Sequence, residues 1–158
     1  MKNKKPKKFF GNEKEDIEKI REEYKKLLEL IEEGNLIFES QARRLAEKYG
    51  FDIRELEEAS MIGEYRGYIE WIKKGEIDLE KYAREFAKEL GLSEKEIDDA
   101  IKIGIRERYY QYLSRIKNGN LVWIEYARKF AEKYGLPIEN LEKAIEIGKK
   151  RIAERYGF

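Results

Sequence analysis

Three copies of one block with identical glycine spacing leave this chain little choice of fold. Read from glycine to glycine, the blocks are GNLIFESQARRLAEKYGFDIRELEEASMIG (34–63), GEIDLEKYAREFAKELGLSEKEIDDAIKIG (75–104) and GNLVWIEYARKFAEKYGLPIENLEKAIEIG (119–148). Their glycines fall at Gly34, Gly50 and Gly63, then Gly75, Gly91 and Gly104, then Gly119, Gly135 and Gly148, with no gap inside any copy. Length varies only between copies, where the Gly63–Gly75 segment is three residues shorter than Gly104–Gly119. The segment Lys19–Gly34 aligns with Gly104–Gly119 and so supplies a joining helix for the first copy. A repeat of this period is one supersecondary unit used several times, each copy burying its apolar face on its neighbours.

Within a copy the apolar spacing is helical. Ala42, Leu45, Ala46 and Tyr49 recur at 3.6-residue spacing, as do Ala83, Phe86, Ala87 and Leu90, and Ala127, Phe130, Ala131 and Tyr134. This predicts short helices near 38–49, 79–90 and 122–134, each ended by a glycine able to take positive φ. A second helix starts at Asp52, Ser93 or Pro137. Ser93 with Glu96 reads as a capping box, and Pro137 suits a first helical turn. These helices run on through Gly63, Gly104 and Gly148 to give long helices near 52–74, 93–118 and 137–156. An interior helical glycine costs about 1 kcal/mol against alanine, so its recurrence at one register marks either a close helix crossing or a bend. With a leading helix near 14–33, the expectation is an all-α fold. It has three tandem helix-turn-helix-like repeats in a stacked array of about seven helices, forming one domain over 13–158.

Composition removes whole classes of chemistry. The chain has no Cys and no His, which excludes disulfides, thiolate ligands, Cys nucleophiles and the commonest general base. A site built purely from Asp and Glu remains possible. Adjacent pairs such as Asp98 and Asp99, or Glu57 and Glu58, point about 100° apart on a helix and do not converge. No phosphate loop, metal-ligand cluster or nucleophile motif is present, so the expectation is a non-enzymatic protein without cofactor or metal. No apolar run of 18 residues exists to span a membrane, and the basic N-terminus lacks the apolar stretch of a signal peptide. A soluble cytoplasmic protein is the default. Charged residues make up 42% of the chain, and this paired charge with few thermolabile side chains is a thermophile's composition.

The short helix, the glycine and the following helix resemble the general helix-turn-helix motif, with Phe130, Ala131, Gly135, Leu136, Leu141 and Ala144 in its apolar, small and glycine positions. Phe86, Ala87, Gly91, Leu92, Ile97 and Ala100 match in the second copy, and Leu45, Ala46, Gly50, Phe51, Leu56 and Ala59 in the first. The resemblance covers roughly 20 residues per copy and implies two helices packed steeply about a tight turn. DNA-binding members carry Arg, Asn, Gln or Lys on the second helix toward base edges. Here that helix is acidic, presenting Asp52, Arg54, Glu55, Glu57 and Glu58 in copy one and Glu94, Lys95, Glu96, Asp98 and Asp99 in copy two. Copy three presents Glu139, Glu142, Lys143 and Glu146. Duplex phosphates repel such a face.

Contacts with nucleic acid are therefore expected elsewhere. Residues 1–12 read as a basic disordered tail in which Lys2, Lys4, Lys5, Lys7 and Lys8 supply charge; without these five lysines the net charge of +1 becomes −4. The segment 105–119 mixes rings with cations. Ile101, Ile105, Tyr109, Tyr112, Leu113 and Ile116 form one core stripe, whereas Tyr110 lies off it beside Arg106, with Lys117 further along. Tyr110 is the candidate stacking residue, and Arg106 and Lys117 the candidate phosphate contacts. Arg43, Arg84 and Arg128 recur one turn after Glu39, Glu80 and Glu125, which reads as local ion pairing. The resulting expectation is an accessory or regulatory protein that binds DNA or RNA. The alternative is a protein-interaction scaffold whose acidic helix faces meet a basic partner.

Overall fold

Each short helix stops where its glycine turns the chain. At Gly135 the backbone takes φ 63°, and the next amide, Leu136 N–H, donates back to Ala131 O at 2.9 Å. Gly135 N–H donates to the same carbonyl, so Ala131 O closes the helix with two bonds. A computed structural model describes residues 4–157, with side chains from residue 16 onward. Among the described residues there are seven α-helices and no strand. They are α1 (Lys4–Glu32), α2 (Glu39–Tyr49), α3 (Ile53–Lys73), α4 (Glu80–Leu90), α5 (Lys95–Lys117), α6 (Ile124–Tyr134) and α7 (Ile138–Tyr156). The fold is all-α, and the long helices run through their glycines.

Local differences from the sequence expectation have physical reasons. A single 3-10 turn precedes each short helix, at Leu36–Phe38, Ile77–Leu79 and Leu121–Trp123. Its tighter i to i+3 bonding is a common prelude to an α-helix. Helix α5 begins at Lys95 with Glu94 at its N-cap, two residues after the Ser93 start that the capping-box pattern predicts. Helix α1 begins at Lys4, inside the stretch expected as a disordered tail. Pro6 falls in its first turn, where the missing N–H would have no helical acceptor in any case.

Where the sequence suggests one domain over 13–158, the chain groups into two compact units. One comprises residues 1–68 and 82–93, the other 69–81 and 94–158. The first is centred on Tyr24, Leu27 and Ile31 of α1, Ala42 and Ala46 of α2, and Leu56 and Ala59 of α3. The second is centred on Tyr109, Tyr112, Leu113 and Ile116 of α5, Ala127 and Ala131 of α6, and Leu141 and Ala144 of α7. Leu113 apart, each member of the second core stands at the position equivalent to a member of the first. Ile31 and Ile116 have no exposed surface, so truncating either to alanine removes about 2–5 kcal/mol.

The recurring helical glycines are close crossings. A Cβ added at Gly63 would overlap the carbonyl oxygen of Ile31 and come within 2.9 Å of Leu36 Cδ2. At Gly104 the obstructing groups are the Ile72 carbonyl and Ile77 Cγ2, and at Gly148 the Ile116 carbonyl and Leu121 Cδ2. In each unit the end of one long helix therefore rests backbone to backbone on the middle of another. The same isoleucine carbonyls also accept a backbone bond, from Gly34 N–H to Ile31 O at 2.9 Å, Gly75 N–H to Ile72 O at 3.0 Å, and Gly119 N–H to Ile116 O at 2.9 Å.

Candidate nucleic-acid interface

Helix α5 separates its aromatic residues by rotation. Tyr109 and Tyr110 are adjacent and so point about 100° apart. Tyr109 is buried in the second unit's core, while Tyr110 keeps 64% of its surface exposed. One turn before Tyr110 stands Arg106, exposed, and two turns after it stands Lys117, half-buried. Spacings of four and seven residues place all three on one helix face. Lys102, also exposed, extends that face by a further turn. None of Arg106, Tyr110 and Lys117 is engaged by a hydrogen bond, ion pair or ring contact among the described residues.

Beside Tyr110 the face opens into a cleft of about 500 Å³. Arg106, Tyr109, Tyr110 and Leu113 of α5 form one wall, and Leu136, Pro137 and Asn140 of the turn and α7 form the other. The walls are tied together at depth, where the Tyr109 hydroxyl donates to Pro137 O at 2.8 Å. Burial pushes the Tyr109 phenol above its ordinary pKa, because the phenolate would lose its hydration there. With Tyr109 committed, the polar side-chain groups at the cleft include the Arg106 guanidinium, the Tyr110 hydroxyl and the exposed Asn140 amide. The amide offers both donors and an acceptor.

The opposite side of α5 carries cations that are already occupied. Arg108 Nε donates to the Tyr112 hydroxyl at 2.8 Å, and its Nη1 reaches Asp78 Oδ2 at 3.2 Å. Its guanidinium also lies 5.8 Å from the ring centres of Tyr112 and Phe130. Burial alone would lower the Arg108 pKa, but the bonds to Tyr112 and Asp78 outweigh it and the net shift is upward. Arg115 stacks over Trp123 at 4.3 Å. These two arginines lie outside the sequence-based set of candidate residues. The one-turn spacing of Arg108 and Tyr112 was the available signal for the first of them. Arg108 and Arg115 hold rings in place, whereas Arg106 and Lys117 are free to meet a ligand.

Of the other candidate contacts, Lys2 lies outside the described residues. Lys4, Lys5, Lys7 and Lys8 fall on the backbone of α1, but their side chains lie outside the described set. The acidic second helices carry Glu55, Glu57, Glu58, Glu96, Asp98, Asp99, Glu139, Glu142 and Glu146 exposed. Asp52 is paired with Arg54 at 3.1 Å, and the side-chain and backbone hydrogen bonds from Arg54 hold its carboxyl below the ordinary range. Arg128 pairs with Glu125. Among the described residues no three acidic side chains converge as a metal site, and no helix is long and apolar enough to cross a membrane. No protein-family model, curated protein or solved structure matches the chain.

Proposed function

We propose that this protein binds single-stranded nucleic acid along the outer face of α5. The observation that carries the reading is the exposed Tyr110 ring, set one turn from Arg106 and two turns from Lys117, with all three side chains unengaged. A ring of this kind stacks on the face of any unpaired base, while the flanking cations neutralise the phosphates on either side. A duplex hides its base faces, and the carboxylates exposed on α3, α5 and α7 repel a phosphate-lined groove. Both facts favour a single strand over a double helix.

Fluorescence anisotropy with labelled single-stranded DNA and RNA at low salt tests the proposal. Base–aromatic stacking contributes about 1–3 kcal/mol, so Tyr110→Ala weakens binding by roughly five- to a hundredfold. Absence of binding to either polymer at low salt defeats the reading. A protein scaffold with acidic faces is then the remaining interpretation.

A further inference from the structure

We propose that the cleft beside Tyr110 receives an unpaired nucleobase, which enters between the Tyr110 ring and the Leu136–Pro137 wall with its polar edge toward Asn140. This rests on the single-strand reading above and adds where the base goes.

A sister cleft stands at the equivalent place in the first unit. That cleft, about 390 Å³, is lined by Arg21, Tyr24, Phe51, Asp52 and Glu55 among others. Tyr24 is the counterpart of Tyr109 and makes the same bond, its hydroxyl donating to Asp52 O at 3.2 Å. Both volumes lie within the range of ligand pockets, so size does not separate the two. The lining does. In the first cleft the Phe51 ring lies 4.9 Å from Tyr24, and Arg21, the counterpart of Arg106, sits over Phe51 at 5.5 Å. The ring and its cation satisfy each other. Two carboxylates also line this cleft, Asp52 held by Arg54 and Glu55 exposed.

In the second unit every one of these obstacles is replaced. Leu136 stands where Phe51 does, so Arg106 has no ring beneath it. Pro137 and Asn140 stand at the positions of Asp52 and Glu55, which removes both carboxylates from the lining, while Glu139 stands outside it at the position of Arg54. Tyr110 takes the place of Lys25, which puts a ring at the mouth. The outcome is an apolar slot with a stacking ring at its entrance, one free amide able to read a base edge, and one free guanidinium able to meet the adjoining phosphate. The same joining helix and turn build both clefts, and of the two the second is the open one.

The experiment compares a single-stranded oligonucleotide of about a dozen residues with an abasic oligomer of equal length and charge. The protein is used as the full chain, wild type and as the charge-neutral variants Asn140→Ala and Leu136→Phe/Asn140→Ala. Phe is the residue the sister cleft already tolerates, and Asn140 is exposed, so the single variant keeps the test valid if the double variant folds poorly. For wild type we expect the normal oligomer to bind at least tenfold more tightly than the abasic one. In the single variant that ratio falls severalfold with abasic affinity unchanged. In the double variant, where the added ring also engages Arg106, the ratio falls to near one and abasic affinity drops modestly. A ratio that survives both substitutions puts the base on the outer face of Tyr110 alone and overturns the cleft while leaving the single-strand reading intact. Equal binding of the two oligomers by wild type also overturns it. Failure of both oligomers to bind removes the reading on which the inference rests.

Discussion

Gly148 lies so close to the carbonyl oxygen of Ile116 that no Cβ fits between them, and Gly63 and Gly104 stand in the same relation to Ile31 and Ile72. The glycine Cα–H points at a carbonyl near the end of the partner helix, the recurring geometry of a weak Cα–H···O contact. Two backbones meet there because nothing larger than hydrogen separates them.

Substitution should therefore separate these glycines from an ordinary helical one. Alanine gains about 1 kcal/mol of helix propensity over glycine, yet at position 148 it must push two backbones apart. Overpacking of this kind costs about 1–3 kcal/mol, at times more. We expect Gly148→Ala, Gly104→Ala and Gly63→Ala each to melt several degrees below wild type. Gly67, in the same helix as Gly63, has nothing within 4 Å of an added Cβ. Gly67→Ala should melt at or above wild type. Thermal unfolding followed by circular dichroism decides between these outcomes, and a stabilised Gly148→Ala would refute the crossing.

The same glycines mark how far the sequence could be read. Their register announced something about the long helices, but a close crossing and a bend put the same demand on a single position. The deciding atom, the Ile116 carbonyl, belongs to a residue far back in the chain. Tyr110 was legible because helical rotation alone sets it apart from Tyr109. Pro137 and Asn140 were not legible as site residues, since they reach the cleft only through the Gly135 turn. The isolated pattern of α1 was misleading in a different way, because a lysine-rich start with one proline reads as a tail while Pro6 remains permissible in a first turn.

The buried tyrosines give the molecule a defined alkaline limit. Burial raises the Tyr109 phenol, and burial together with the nearby Glu55 and Asp52 charges raises that of Tyr24, partly offset by Arg43. Below about pH 10, the ordinary phenol value, both folded and unfolded chains hold these protons and the contribution is complete. Above it the unfolded chain releases them first, so stability falls as the pH climbs toward the folded pKa values. Tyr109→Phe should cost about 0.5–1.5 kcal/mol at neutral pH through the lost bond to Pro137 O. It should also flatten the decline above pH 10. Denaturant midpoints measured from pH 8 to 11 report both effects, and an unchanged alkaline slope would show that Tyr109 ionises freely in the native state.

Arg108 separates packing from charge. Its partner Asp78 is 80% exposed at the side chain, so Asp78→Asn should move stability by less than about 1 kcal/mol. Arg108→Ala removes the bond to Tyr112 and uncovers the Tyr112 and Phe130 rings. A loss of about 1–3 kcal/mol is expected from the hydrogen bond and the packing together. Equal effects of the two variants in urea titrations would mean that the ion pair, and not the covered rings, is what Arg108 contributes.

Charge and stacking on the outer face of α5 leave different signatures in salt. Each phosphate neutralised on a single strand contributes about 0.7 to the slope of log affinity against log salt concentration. Arg106 and Lys117 lie on one helix face and lack internal partners among the described residues, so each can neutralise one phosphate. Arg106→Gln and Lys117→Gln should then each make the slope shallower by about that amount, with a modest loss of affinity at low salt. Tyr110 bears no charge, so Tyr110→Ala should lower affinity at every salt concentration and leave the slope unchanged. The same titration carried out on the wild type and the three variants distinguishes the roles. If Arg106→Gln and Lys117→Gln lower affinity without altering the slope, these side chains do not meet phosphate. If Tyr110→Ala changes the slope, the loss comes from displaced cations on α5 and not from a stacked base.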